Sequence, residues 1–146
     1  NLKVIHIVRD PRAYVYSNIK DYKKGNFLSL LYAFKITVKY VVENVIIEYI
    51  LSQMPDENVF FIRYEDLASS PERTMDCIIN WLKIPQKKLD LKKFREKENH
   101  AIAGNKTRHL KTDIRVDNTW ERGLDPFLKK MISLICLTLM KKYKYN

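Results

Sequence analysis

A short β-branched segment that leads directly into a helix start constrains the fold of this chain more than any other feature. Val4–Val8 is almost entirely apolar, and Arg9, Asp10 and Pro11 follow it without a loop. Such a segment is typical of a central parallel strand that is buried on both faces. Asp10 is a favoured N-cap and Pro11 a favoured first helical residue, so a helix is predicted from here to about Tyr22.

A second strand and a long helix are also predicted from apolar patterns. Val59–Ile62 is again short and apolar, and Tyr64 stands just beyond it. Phe27–Ser52, between the two strands, has the apolar periodicity of one long helix. Its charged residues recur every four positions, which predicts one polar stripe on a mostly buried cylinder: Lys35, Lys39 and Glu43.

The order of these elements predicts an α/β fold with a parallel sheet flanked by helices. Further helices are predicted from Pro71 to about Leu82, over Asn118–Arg122, and from Phe127 to about Lys142. Ligands of such sheets bind at the carboxyl ends of the strands. Arg9 and Tyr64 should therefore lie at the same edge of one sheet.

Composition limits the classes of partner. The 146 residues, 46% hydrophobic and 30% charged, are enough for one domain spanning 1–146 and argue against disorder. The formal net charge of +10 indicates an anionic partner such as nucleic acid, anionic lipid, acidic glycan or a phosphorylated nucleotide. Much of the excess lies between Gln86 and Arg115, where a solvated basic face is the simplest explanation for most of the lysines.

Cysteine spacing and hydropathy argue against a cysteine metal site and a membrane span. Cys77 and Cys136 lie in apolar helical patterns without metal-ligand spacing, so both are predicted to be buried thiols. The sequence contains no apolar run that predicts a membrane span or a signal peptide. Because a domain rarely begins in mid-strand, Asn1 is interpreted as a truncation point.

The segment from Arg9 to Ser17 combines groups that bind phosphate. A helix N-terminus offers N–H groups and a favourable dipole, and Arg9 adds a bidentate guanidinium. Helical side chains tilt toward the N-terminus, so Ser17 should lean back toward the group that Arg9 holds. Arg12 opposes the dipole in the first turn, and a nearby anion would explain it. The alternative is a structural salt bridge for Arg9 and an ordinary surface serine.

Two segments resemble sulfotransferases that use 3'-phosphoadenosine 5'-phosphosulfate (PAPS). The segment from Val4 to Ala13, with Ser17, is similar to their 3'-phosphate-binding segment, and this implies that Arg9 and Ser17 hold that phosphate. The run Val59–Leu67 resembles the family's strand-to-helix segment with Tyr-Glu-Asp, which implies that Tyr64 lies near the adenine. The alternative for Tyr64 is a half-buried aromatic at a strand end, and Glu65 is interpreted as structural, a partner of Arg9 or Arg63.

A third segment resembles the carbohydrate-type members of the family. Asn99–Arg108, followed by Ile114, Asp117 and Trp120, is similar to their C-terminal loop. The resemblance implies that Arg108 and Lys106 contact the nucleotide. His100 is interpreted as structural and Trp120 as a core anchor.

The three segments together imply a P-loop NTPase-like sulfotransferase fold that is incomplete at the N-terminus. The activity implied is transfer of a sulfuryl group from PAPS, without a metal, to a hydroxyl or amine acceptor, by resemblance a carbohydrate. The phosphosulfate loop and catalytic base of the family would precede Asn1, so no catalytic residue is assigned and the chain alone is expected to be inactive. His6 lies inside the strand and not at its reacting end.

Other functions stay open on the sequence. A P-loop kinase-like domain has the same kind of parallel α/β sheet, and a Walker A loop upstream would favour that interpretation. A basic nucleic-acid-binding module would use the charge excess, but no groove-entering motif or stacking platform is recognisable, and no nucleic-acid partner is expected. The last helix is the only feature that would support an interaction domain or a membrane-surface domain. The compartment is unknown: the cytoplasm for a bacterial protein, the Golgi lumen for an animal one.

Overall fold

A computed structural model of the chain describes residues 2–21, 27–85 and 115–145. Two strands pair in parallel, β1 (Val4–Val8) and β2 (Val59–Arg63), with Val4 opposite Val59 and Val8 opposite Arg63. A single 3₁₀ turn, Asp56–Asn58, precedes β2. The helices are α1 (Pro11–Ile19), α2 (Phe27–Leu51), α3 (Tyr64–Ser69), α4 (Pro71–Leu82), α5 (Thr119–Gly123), α6 (Pro126–Ile135) and α7 (Leu137–Lys142).

The predicted start of α1 is confirmed. The Asp10 carboxylate accepts a hydrogen bond from the Arg12 N–H at 2.8 Å, and Pro11 is the first helical residue. The helix ends at Ile19, earlier than predicted. The parallel pairing of the two strands is confirmed as well, with α1 and α2 forming the connection between them.

The prediction that β1 is buried on both faces is wrong for the described residues. His6 and Val8 are buried, whereas Ile5 and Ile7 are 38% and 52% exposed. The buried face is covered by α2 and the C-terminal segment, since His6 lies against Glu48 and the ring of Tyr143. Within the described ranges the other face has no comparable cover.

The interpretation of α2 as a mostly buried cylinder is also wrong. One stripe of the helix enters the core and includes Ala33, Ile36 and Tyr40. The polar stripe is present and exposed. A second apolar stripe at helical spacing is exposed by 38–69%: Leu31, Phe34, Val38, Val42, Val45 and Tyr49. The reason is that α1 and α6, the described helices that pack on α2, cover one side of it.

The described residues group into two compact units, the first drawn from Asn1–Glu65 and Asp117–Asn146, the second from Asp66–Val116. The organisation as a single domain stays a prediction. The core of the first unit is one apolar cluster of Val8, Val15, Ile19, Ala33, Ile36, Tyr40, Leu124, Ile132, Cys136, Leu139, Met140 and Tyr143.

The predicted last helix is two helices. Cys136 lies between α6 and α7 with φ −93° and ψ 7°, outside the α-helical range. Its thiol is buried, as predicted, and burial raises the pKa of Cys136 to about 12. Trp120, predicted to anchor the core, is partly buried against the core cluster.

The second unit contains α4, which ends at Lys83 in the left-handed conformation with φ 58°. Ile78 is its buried residue, and Met75, Ile79 and Leu82, which lie on the same face of the helix, are half-buried. Cys77 is exposed, so the prediction of a buried thiol is wrong there. One residue along a helix turns the side chain by about 100°, which takes Cys77 away from the face of Ile78.

No helix among the described residues has both the length and the apolar character to cross a bilayer.

Candidate cofactor-binding site

Arg9 and Tyr64 meet at the carboxyl edge of the sheet. Each directly follows the last residue of its strand, and the register places Val8 opposite Arg63. The Arg9 Cζ atom lies 4.9 Å from the centroid of the Tyr64 ring, within cation–π range. The predicted juxtaposition of these two residues is confirmed.

The Arg9 guanidinium is incompletely partnered. Its side chain is 26% exposed, and Nη2 lies 3.8 Å from Oδ2 of Asp117. Nε is buried and has no hydrogen-bond partner within the described part of the chain. Buried polar groups are normally hydrogen-bonded, so an N–H in this state requires an explanation, and an anion at the strand edge would provide one.

Arg12 has its own anion within the protein. Its Nε lies 3.0 and 3.2 Å from the two Asp10 carboxylate oxygens, and Nη2 lies 2.7 Å from Oδ2. Its Cζ lies 4.7 Å from the centroid of the Trp120 ring. Asp10 therefore explains the cation in the first turn of α1, and a contact between Arg12 and the cofactor stays a prediction.

Ser17 lies on α1 two turns after Arg9 and is half-buried. Its hydroxyl donates to the Tyr14 carbonyl at 2.8 Å, a local bond within the helix. To donate to a phosphate, the hydroxyl would have to rotate away from this carbonyl, so the described conformation does not itself place Ser17 on a ligand.

Two long-range hydrogen bonds that the sequence did not reveal hold the main chain around Arg9, and a third supports one of them. The Tyr40 hydroxyl donates to the Arg9 carbonyl at 2.8 Å. The Asp10 N–H donates to Oε1 of Glu65 at 3.0 Å, and the Tyr145 hydroxyl donates to Oε2 of Glu65 at 2.6 Å. Glu65 was expected to be structural, and these are the contacts that make it so. Burial raises the pKa of Tyr40 above its ordinary value, which keeps its hydroxyl a donor.

His6 lies in the middle of β1 and not at its carboxyl end. It is buried, with Nδ1 at 4.0 Å from Oε1 of Glu48 and edge-to-face contacts with Phe61 and Tyr143. Burial lowers the pKa of His6 despite the opposing effect of Glu48. The interpretation of His6 as a residue of the strand interior is confirmed.

The predicted contacts of Lys106 and Arg108, together with His100, lie outside the described residues and stay predictions. In the part of the chain that is described, no group of three or more histidine, cysteine, aspartate and glutamate side chains is placed to hold a metal ion.

Comparison with known proteins decides the family. The sequence model of the protein family described as "Sulfotransferase domain" matches residues 1–144 of this chain. The chain belongs to the sulfotransferase-domain family. No curated protein matches the sequence significantly.

A solved structure supports the fold of this sulfotransferase-family chain. The sulfotransferase domain from the curacin biosynthetic pathway superposes with a TM-score of 0.60 at 19% sequence identity. The match covers 99% of this chain and 54% of that domain, so the chain spans about half the length of the solved domain. At this level of identity the likeness shows the fold alone: the α/β arrangement predicted from the order of the elements, in the sulfotransferase form that the resemblance implied.

Proposed function

We propose that this chain binds the 3'-phosphoadenosine part of PAPS and that Arg9 holds the 3'-phosphate. The observation that carries the proposal is the buried Nε of Arg9, which has no acceptor among the described residues. Leaving such a donor unsatisfied costs about 1–3 kcal/mol, and a phosphate oxygen would recover that cost. The guanidinium stands at the strand edge, where ligands of parallel sheets bind.

Tyr64 suits the adenosine part of the same ligand. It is half-buried and adjoins Arg9 at 4.9 Å, so one nucleotide could touch both residues. An aromatic ring supplies a stacking surface and a phenol supplies a hydrogen-bonding group. Ser17, Lys106 and Arg108 are proposed as further contacts because of the resemblance, and Arg12 because its cation stands in the first turn of α1.

The proposed reaction is transfer of a sulfuryl group from PAPS to a hydroxyl or amine of the acceptor, which loses its proton, and 3',5'-ADP is the leaving group. PAPS supplies the sulfuryl group, and Arg9 and Tyr64 position it by holding the far end of the donor. Cations and helix N-termini aimed at the transferring group are the main catalytic devices of such chemistry. We propose no residue of the three segments as the donor-activating loop or the catalytic base, and we expect the 146 residues to be inactive alone. A carbohydrate acceptor rests on the resemblance of Asn99–Arg108.

Two alternative functions, a P-loop kinase and a nucleic-acid-binding module, have less support. The family match decides against a P-loop kinase. A nucleic-acid-binding module would depend on the basic stretch from Gln86 to Arg115, nearly all of which lies outside the described residues, and no described feature favours it.

Calorimetric titration of Arg9→Ala tests the proposal. A charge-assisted phosphate contact contributes about 1.5–3 kcal/mol, so affinity for 3',5'-ADP should fall roughly ten- to hundredfold. Ser17→Ala removes a neutral donor worth about 0.5–1.5 kcal/mol and should cost less. Adenosine 5'-phosphosulfate has no 3'-phosphate, so its binding should be unchanged in both variants.

Arg73→Ala serves as the matched control, because Arg73 is an exposed arginine on α4. It should bind both nucleotides like the unmodified protein. Equal weakening of both nucleotides by Arg9→Ala would show that Arg9 acts through a structural salt bridge and not on the 3'-phosphate.

A further inference from the structure

Three consecutive residues centred on Arg9 each contact a side chain from a distant part of the chain. The Val8 carbonyl oxygen lies 3.4 Å from the Tyr145 hydroxyl, and the Arg9 carbonyl accepts a hydrogen bond from Tyr40 at 2.8 Å. The Asp10 N–H donates to Glu65 at 3.0 Å. Strand pairing ends at Val8, so these side chains extend the fixation of the backbone beyond the sheet and through Arg9.

Glu65 and Tyr145 act as one unit in this arrangement. Glu65 uses one oxygen for Asp10 and the other for the Tyr145 hydroxyl, at 2.6 Å. That distance is typical of an O–H donating to a carboxylate, which is among the stronger hydrogen bonds in proteins. Burial, together with this hydrogen bond, raises the pKa of Tyr145 above its ordinary value, so the phenol remains a donor.

Tyr145 reaches the strand edge through a strained turn. After α7, Lys144 has φ 59°, a left-handed conformation that residues with a Cβ rarely adopt. The turn is closed by the Tyr145 N–H, which donates to the Met140 carbonyl at 2.8 Å. Arg63 donates to the Lys144 carbonyl at 3.1 Å, and its guanidinium lies 5.7 Å from the Tyr145 ring centroid. Strain of this kind persists where the surroundings over-determine the conformation, and it often marks a functional position.

The direction of a long side chain depends on the backbone dihedrals at its own residue. If the main chain around Arg9 were loose, the guanidinium could take up other directions or close further onto Asp117, whose carboxylate already lies 3.8 Å from Nη2. Binding sites gain affinity when supporting residues hold the contacting group in its productive geometry beforehand.

We propose that Glu65 and Tyr145 are positioning residues for Arg9: Glu65, itself oriented by the Tyr145 hydroxyl, holds the peptide group that follows Arg9, and the pair so aims the guanidinium at the 3'-phosphate. This inference rests on the proposed function of Arg9. Neither residue needs to touch the nucleotide, because both act through the main chain.

A double-mutant cycle between Tyr145→Phe and Arg9→Ala tests the inference, with calorimetric titration of 3',5'-ADP and adenosine 5'-phosphosulfate. Tyr145→Phe removes the hydroxyl and keeps the ring. It should weaken 3',5'-ADP binding about three- to tenfold, as expected for one lost hydrogen bond, and leave adenosine 5'-phosphosulfate unchanged. In the Arg9→Ala background, Tyr145→Phe should add no further loss, since there is no guanidinium left to aim.

Two further variants make the result specific. Tyr49→Phe is the matched control, because Tyr49 is 69% exposed on α2, and it should bind like the unmodified protein. Glu65→Gln keeps the shape but removes the charge that strengthens both hydrogen bonds, and it should resemble Tyr145→Phe in its nucleotide preference.

The outcomes separate the two proposals. If Arg9→Ala weakens 3',5'-ADP while Tyr145→Phe and Glu65→Gln bind it normally, the positioning role is wrong and the function of Arg9 stands. A loss from Tyr145→Phe that persists in the Arg9→Ala background, or that affects both nucleotides equally, means a general structural role and also overturns the inference. If Arg9→Ala has no effect on 3',5'-ADP, the proposed function fails and the positioning role fails with it.

Discussion

Asp10 and Asp125 each cap a helix whose first residue is proline, but their surroundings differ. Asp125 is exposed and accepts hydrogen bonds from Phe127 N–H at 2.8 Å and Leu128 N–H at 3.4 Å. Asp10 caps α1 and is 5% exposed, and its carboxylate also binds the guanidinium of Arg12. Alanine at either position therefore removes a helix cap, but only Asp10→Ala also removes the ion pair with Arg12.

The expected cost follows from these contacts. Loss of an N-cap destabilises by about 1 kcal/mol, which is the whole expected effect of Asp125→Ala. Asp10→Ala also removes the carboxylate that pairs with Arg12, whose side chain is 18% exposed. Removing one partner of a buried pair costs about 3–5 kcal/mol, and partial exposure of Arg12 places this pair at the lower end. The total for Asp10→Ala is about 3–4 kcal/mol, a large part of the 5–15 kcal/mol typical of a domain.

Equilibrium unfolding in denaturant measures both variants. Asp10→Asn separates the two effects, because asparagine caps a helix as well as aspartate but cannot neutralise Arg12, and it should cost about 2–3 kcal/mol. If Asp10→Ala is no more destabilising than Asp125→Ala, the Asp10–Arg12 pair contributes no stability and the explanation given for Arg12 is incorrect.

Three further predictions concern other parts of the molecule. Burial lowers the pKa of His6 below 6.5, so the unfolded chain binds a proton at a higher pH than the folded chain does. The free energy of unfolding should therefore decrease as the pH drops below 6.5. His6→Asn should make this decrease smaller. Iodoacetamide should modify the native protein at Cys77 and spare Cys136, which is buried with a pKa of about 12; peptide mapping that finds Cys136 modified first would refute this. A Cβ on Gly123 would lie 2.1 Å from the Tyr16 hydroxyl, so Gly123→Ala should destabilise by about 1–3 kcal/mol unless the ring moves aside, and thermal unfolding would measure it.

The elements that were predicted correctly are those whose signals are local. Asp10 and Pro11 define the start of α1, and the apolar composition of Val4–Val8 and Val59–Ile62 identifies two strands. The meeting of Arg9 and Tyr64 follows from one general rule, that parallel strands present their carboxyl ends at the same edge.

The wrong predictions concern burial. Cys77 and Cys136 both stand in apolar helical patterns, yet one is exposed and the other is buried. The outer stripe of α2 is as apolar as the inner one and is exposed. Periodicity shows that a helix has an apolar face, whereas the neighbouring elements decide which face is covered.

The sequence by itself determined the two strands, the capped helix and the arginine at the strand edge, because dihedral preferences and capping act between residues a few positions apart. The tertiary structure alone decided how that arginine is held. Tyr145 and Glu65 are 80 positions apart and meet at 2.6 Å, and Tyr145 lies 137 positions from the carbonyl of Val8. Hydrogen bonds over such separations form only after the sheet and the C-terminal helices have packed, so no local pattern in the sequence encodes them.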